Sequence, residues 1–193
     1  MTPEQSVITV EHNGYVIDIY LCQITPADRT HRRQAERQAI GAIIKTLTGA
    51  DIYPEHLPSG QPYIPGANFH ISISHSTLTA ALGVSRTTAV GIDIEQPRQA
   101  LFRTASRFLS DSESALCTTP QRLLMAWTAK EATFKCAGIE SLLISDIIYP
   151  AHGDFSQAMI TTPHTSEPRL FHIKHIAHGE QLIAIATPIV NLP

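Results

Sequence analysis

The sequence predicts an α+β fold built from two similar halves, residues 1–97 and 98–193, and three observations carry that expectation. Alternating strand segments open and close the chain, a long helical pattern interrupts them in each half, and one short motif recurs. The motif is Phe69-His70-Ile71, leading into an apolar strand at residues 80–84, and Phe171-His172-Ile173, leading into another at 182–186. The two copies lie 102 residues apart.

Residues 6–10 and 15–21 alternate around Asn13-Gly14, the turn pair of a two-residue hairpin. A helix is expected to start with Thr25 as N-cap and Pro26 at its first position, and to end before Gly49. The Pro- and Gly-rich stretch 50–68 reads as loop. Strands are expected at 69–74, 80–84 and 89–95, with Pro97 ending the last and marking the boundary between halves. Ser110 and Glu113 form a capping box that opens a helix, and a longer helix runs from Thr119-Pro120 to Cys136 ahead of Gly138. Strands return at 145–149, 158–161, 170–176 and 181–187.

Composition excludes several classes. With 43% hydrophobic and 16% charged residues in 193, the chain has the make-up of a globular protein and not of a disordered one. A net charge of −3 offers no general attraction to nucleic acid, so an anionic ligand must meet a local cluster of positive charge. Cys22, Cys117 and Cys136 are odd in number and form no Cys-x-x-Cys, which leaves no disulfide framework and suits a reducing compartment. The first residues read as no signal peptide, and no run of about 18 apolar residues occurs to span a membrane. A cytoplasmic protein is expected.

Four constellations could carry chemistry. In Gly91-Ile92-Asp93-Ile94-Glu95, strand alternation puts Asp93 and Glu95 on one face with Gly91, while Val90, Ile92 and Ile94 face a core. Two carboxylates at i and i+2 repel unless a hard divalent cation neutralises them, or unless that face is simply solvated. On the helix after Pro120, Leu123, Leu124, Trp127 and Phe134 form an apolar stripe with Glu131 at its centre and Lys135 at its edge. A carboxylate there is costly without compensation, which favours a functional role over a plain i,i+4 pair with Lys135. On the first helix, Ile40, Ile43, Ile44 and Leu47 continue the azimuth of Arg29, Arg32, Arg33 and Arg37, with Glu36 among them. That arginine end either overhangs into solvent or faces an anion such as phosphate. Ser74-His75-Ser76, at a strand end, could donate to phosphate oxygens or merely form a turn. The remaining histidines show no zinc spacing.

Together these segments resemble the 4'-phosphopantetheinyl transferase family, in particular its two-fold pseudosymmetric type serving secondary-metabolite synthases. The family pattern is Gly-x-Asp-x-Glu followed by Trp-x-x-Lys-Glu-x-x-x-Lys, matched here by Gly91 to Glu95 and by Trp127-Thr128-Ala129-Lys130-Glu131-Ala132-Thr133-Phe134-Lys135. Asp93 and Glu131 lie 38 residues apart, a spacing that suits the family. Gly60-Gln61-Pro62 is similar to the family's Gly-x-Pro loop, although its middle position is commonly basic there and is Gln61 here. Arg37 with Ile40-Gly41 resembles its arginine-bearing helix.

The resemblance implies transfer of the phosphopantetheine arm of coenzyme A to a serine of an apo-acyl or peptidyl carrier protein, leaving 3',5'-ADP. It implies Mg²⁺ held by Asp93, Glu95 and Glu131, with Glu131 and Lys135 catalytic. Arg37, Ser74, His75, Gly60 and Lys130 would contact coenzyme A. Neither nucleic acid nor membrane is an expected partner, and two fused halves make a monomer sufficient. A non-catalytic homologue that binds a carrier or coenzyme A, and a magnesium-dependent nucleotide pyrophosphate hydrolase, remain the alternatives.

Overall fold

The computed structural model describes residues 4–24, 31–150, 153–161 and 167–189. The expected helix start at Thr25 and Pro26, and Arg29, lie outside them. Strands β1 (Gln5–His12) and β2 (Tyr15–Gln23) form the hairpin on Asn13-Gly14, and helix α1 (Arg32–Thr48) follows. Where loop is expected, residues Glu55–His56 (β3) and Pro62–Tyr63 (β4) pair as a small hairpin of their own. Strands β5 (His70–His75), β6 (Thr79–Ser85) and β7 (Gly91–Glu95) come next. A short helix α2 (Gln99–Thr104), which the sequence pattern did not signal, precedes α3 (Asp111–Leu116) and α4 (Pro120–Ala137). The chain closes with β8 (Ile147–Ile148), β9 (Gln157–Ile160), β10 (Arg169–His178) and β11 (Gln181–Pro188).

These elements make an α+β fold on two main antiparallel sheets. The first has the order β1-β2-β6-β5 and the second β7-β11-β10-β9-β8. The chain leaves the first sheet at Ser85 and enters the second at Gly91, so β7 belongs to the second sheet although it precedes Pro97. Hairpins β5–β6 and β10–β11 keep the same register at the offset noted above: His70 opposes Ser85, and His172 opposes Thr187.

Burial explains the layering. Ile40, Ile43 and Ile44 seat α1 on one face of the first sheet, against Leu82 and Val84. Leu123, Leu124, Ala129 and Ala132 seat α4 on one face of the second, against Ala184 and Ala186. The two remaining sheet faces pack on each other through Ile17, Ile19, Ile92, Ile94, Ile183 and Ile185. At roughly 1.5–3 kcal/mol for each buried isoleucine, that middle layer welds the sheets and is no loose domain contact.

One junction matters most for the site. Strands β5 and β7 lie side by side at the sheets' margins, where serine hydroxyls take the place of ladder carbonyls. Ser72 Oγ accepts from the Ile92 amide at 2.9 Å, and Ser74 Oγ accepts from the Ile94 amide at 3.2 Å. This satisfies backbone donors that an open strand edge would otherwise bury unpaired.

Candidate active site

Alternation in β7 places Ile92 and Ile94 in the middle core, as expected, and puts Gly91, Asp93 and Glu95 on the other face, which α4 meets. Gly91 is what lets the helix come close. A Cβ at Gly91 would lie 1.9 Å from the Ala132 carbonyl oxygen and 2.6 Å from the Cys136 nitrogen. With the backbones in contact, the α4 face bearing Trp127, Glu131, Phe134 and Lys135 opens onto the same space as Asp93 and Glu95. The apolar stripe read from the sequence therefore divides. Leu123 and Leu124 are buried in the core, while Trp127 and Phe134, packed against that core from its margin, also line the cavity around Glu131.

That cavity, of about 490 Å³, is lined by Gly60, Ser74, His75, Asp93, Glu95, Glu131 and Lys135 among others. Arg37 lines a second cavity of similar size, with Arg33, Glu36 and Tyr53. The two share His56, Ile73 and His75 and so adjoin. The arginine end of α1 thus overhangs its core toward a concave surface. Arg37 stacks on the Tyr53 ring at 4.5 Å, and Arg32 pairs with Glu36 at 2.8 Å. Glu36 Oε1 also lies 3.4 Å from His75 Nδ1, which orients that ring. The sequence reading missed His56 and Arg98 as lining residues. His56 lies in a Pro-rich stretch without periodicity, and Arg98 follows the strand it serves by pairing with Glu95 at 2.7 Å.

Lys135 reaches across to β7. Its Nζ donates to Asp93 Oδ1 at 2.8 Å, to Ser74 Oγ at 3.0 Å and to the Ile92 carbonyl at 3.2 Å. Ser74 in turn donates to Asp93 Oδ1 at 2.8 Å. The hydroxyl of Ser74 is therefore engaged in positioning Asp93. The other carboxylate oxygen of Asp93, Oδ2, is buried with no hydrogen-bond partner. Burial pushes the Glu131 carboxyl above its ordinary value; Lys135 opposes this, while Asp93 and Glu95 add to it.

These features fit a divalent cation. An orphaned carboxylate oxygen is the donor such an ion uses, and three mutually repelling acids gain from its charge. Among the described residues no three His, Cys, Asp or Glu side chains already stand as a complete ligand set. Magnesium does not require one, since it takes one or two carboxylates and completes its shell with water and substrate phosphate.

Lys130 faces away from this cavity. It is fully buried, donating to Glu113 Oε2 at 2.9 Å and to the Ile147 carbonyl, beneath the Tyr149 ring. Burial lowers its pKa, and Glu113 counteracts this. Glu113 also accepts from the Ser110 and Tyr149 amides, so the capping box doubles as the anchor of α4. Lys130→Met is expected to cost about 3–5 kcal/mol, because it strands the Glu113 charge. Adding Glu113→Gln should recover part of the loss. Thermal melts of the two variants check this, and a melt unchanged in Lys130→Met would show the pair to be dispensable.

Three acids (Asp93, Glu95 and Glu131) and Lys135 thus surround one open cleft, with His56, His75 and Arg98 beside them. The chain belongs to the 4'-phosphopantetheinyl transferase superfamily, whose family model matches residues 89–186, just over half its length. Members of that superfamily transfer phosphopantetheine from coenzyme A to carrier proteins, generally with Mg²⁺. No curated protein matches the chain. No helix among the described residues is long and apolar enough to cross a membrane.

Proposed function

We propose that this protein moves the 4'-phosphopantetheine arm of coenzyme A onto a serine of an apo-acyl or peptidyl carrier protein, releasing 3',5'-ADP. The observation that carries the proposal is the convergence of Asp93, Glu95, Glu131 and Lys135 on one cavity, with Asp93 Oδ2 left buried and unpaired. The matched hairpin registers support reading the chain as a pseudo-dimer of the two-fold type. Asp93, Glu95 and Glu131 would hold Mg²⁺, which supplies positive charge against the pyrophosphate.

Glu131 takes the proton from the carrier serine as its oxygen bonds to the β-phosphorus and the bond to 3',5'-ADP breaks. Its carboxylate, on the same cavity as Asp93, Glu95 and Lys135, stands where a general base would be needed. Lys135, held by Asp93 and Ser74, presents an ammonium to the charge gathering on the departing side. Gly60 lines this cavity, where it would contact the substrate's phosphates, and Trp127 and Phe134 give the cavity part of its apolar wall. His75 and Arg37 bind the nucleotide end across the two cavities. Lys130 acts on this site only by fixing α4.

Incubation of apo-carriers with coenzyme A and Mg²⁺, followed by mass spectrometry, should show the arm on a serine and 3',5'-ADP in solution. Free phosphopantetheine with an unmodified carrier would indicate a hydrolase instead. Arg37→Ala and His75→Ala should each raise the KM for coenzyme A about ten- to a hundredfold, the usual cost of a charge-assisted bond. Dephospho-coenzyme A should suffer less if they meet the 3'-phosphate. Equal losses with both substrates would place them elsewhere.

A further inference from the structure

The last carbonyls of a helix have no partner within it and must be satisfied from outside. In α4 that service comes from distant side chains. Gln61 Nε2 donates to the Lys135 carbonyl at 3.0 Å and to the Cys136 carbonyl at 3.2 Å, while Arg169 donates to the Ala137 carbonyl at 3.0 Å. The helix then ends at Gly138 in the left-handed region, φ 56°. A Cβ at Gly138 would lie 2.0 Å from Gln61 Oε1 and 2.3 Å from its Cδ. The amide of Gln61 therefore lies flat on a spot that only glycine leaves open.

The other side of the contact is equally definite. The Gln61 carbonyl accepts from the Leu57 amide at 2.9 Å, and the Gly60 amide donates to the Leu57 carbonyl at 2.8 Å. The residue that closes the β3–β4 turn with its backbone thus grips α4 with its side chain. Ser59, Gly60, Gln61 and Pro62 line the same cavity as Lys135.

We propose that Gln61 is a positioning residue: it latches the β3–β4 hairpin to the carboxyl end of α4 and so holds Lys135 in register with Asp93. The catalytic consequence rests on the transferase reading above. Lys135 contributes its backbone carbonyl to the latch and its ammonium to Asp93, so slack at one end is felt at the other.

Three substitutions test the latch. Gln61→Glu keeps the shape but has no donor at neutral pH and sets a negative charge against the negative end of the helix. Gln61→Met keeps the length without polarity. Gln61→Lys keeps a donor and adds a charge that the helix end favours. In transfer assays with coenzyme A, Mg²⁺ and apo-carrier, Glu and Met should lower kcat about ten- to a hundredfold, the scale of a small misplacement. Lys should stay within about threefold of wild type, and KM for coenzyme A should move less than kcat throughout.

Loss confined to KM, with Lys tightening coenzyme A binding, would overturn the latch in favour of direct phosphate contact. Melts of Gln61→Ala, Gly138→Ala and the double variant give a second readout that needs no activity. Gly138→Ala should lower Tm less when Gln61 is already Ala, because the colliding amide is gone. Strict additivity would overturn the latch. An inactive wild type would count against the transferase reading alone, since the melts still decide the contact.

Discussion

Replacing Glu131 by Gln is expected to lower kcat roughly 10²- to 10⁴-fold, the contribution of a positioned general base. Stability of the metal-free protein should hold or rise. Burial raises the Glu131 pKa, so the folded state binds its proton more tightly than the unfolded chain does. The ionised carboxylate consequently destabilises the fold above the raised value. As pH falls through the window between the raised and ordinary values, that penalty fades. At neutral pH the Gln variant should therefore melt at or above wild type, and the difference should shrink on acidification. Melts of both proteins in chelator across that window, beside transfer rates below the melting range, separate catalysis from structure. A destabilised but fully active variant would falsify the catalytic role.

Asp93→Ala should abolish transfer, and it should do so through two losses. One is the buried Oδ2 offered to a cation; the other is the acceptor that Ser74 and Lys135 share. Asp93→Asn separates them, because an amide oxygen can still accept from Lys135 while the negative charge is gone. We expect Asn to retain most of the fold's stability, Ala to lose about 1–3 kcal/mol from unpairing Lys135, and both to lose at least about 10³-fold in transfer. In wild type with coenzyme A, Mg²⁺ should raise Tm, as a ligand that binds the native state does. Neither variant should show that shift. Near-wild-type transfer by Asp93→Ala in limiting Mg²⁺ would remove Asp93 from the metal site.

The partner strand and helix behave differently as sources of sequence information. In β7 the period of two is enforced by a core on one side and α4 on the other, so Ile92 and Ile94 could be told from Asp93 and Glu95 at sight. Helix α4 buries residues around most of its circumference: Leu124, Ala126, Thr128, Lys130 and Thr133 all lie inside. Its stripe could not define a wet face, and although it put Lys135 at its edge it gave no sign that Lys130, assigned to coenzyme A by the resemblance, would be buried. Lys130 goes to Glu113 and Lys135 to Asp93 because of what stands opposite each, which is a tertiary fact.

By itself the sequence determined the α+β class, the capping box at Ser110, the boundaries of α4 and the carboxylate face of β7. All of these follow from interactions within a few residues, which spacing encodes directly. Only the tertiary structure decided that residues 55–63 form a hairpin, that Ser74 positions Asp93, and that Gln61 caps α4. Each of these depends on groups brought together by the β5–β7 junction and by the close approach that Gly91 permits. A hydroxyl or an amide carries no mark of its partner in the chain; the partner is chosen when the two sheets weld and α4 comes down on β7.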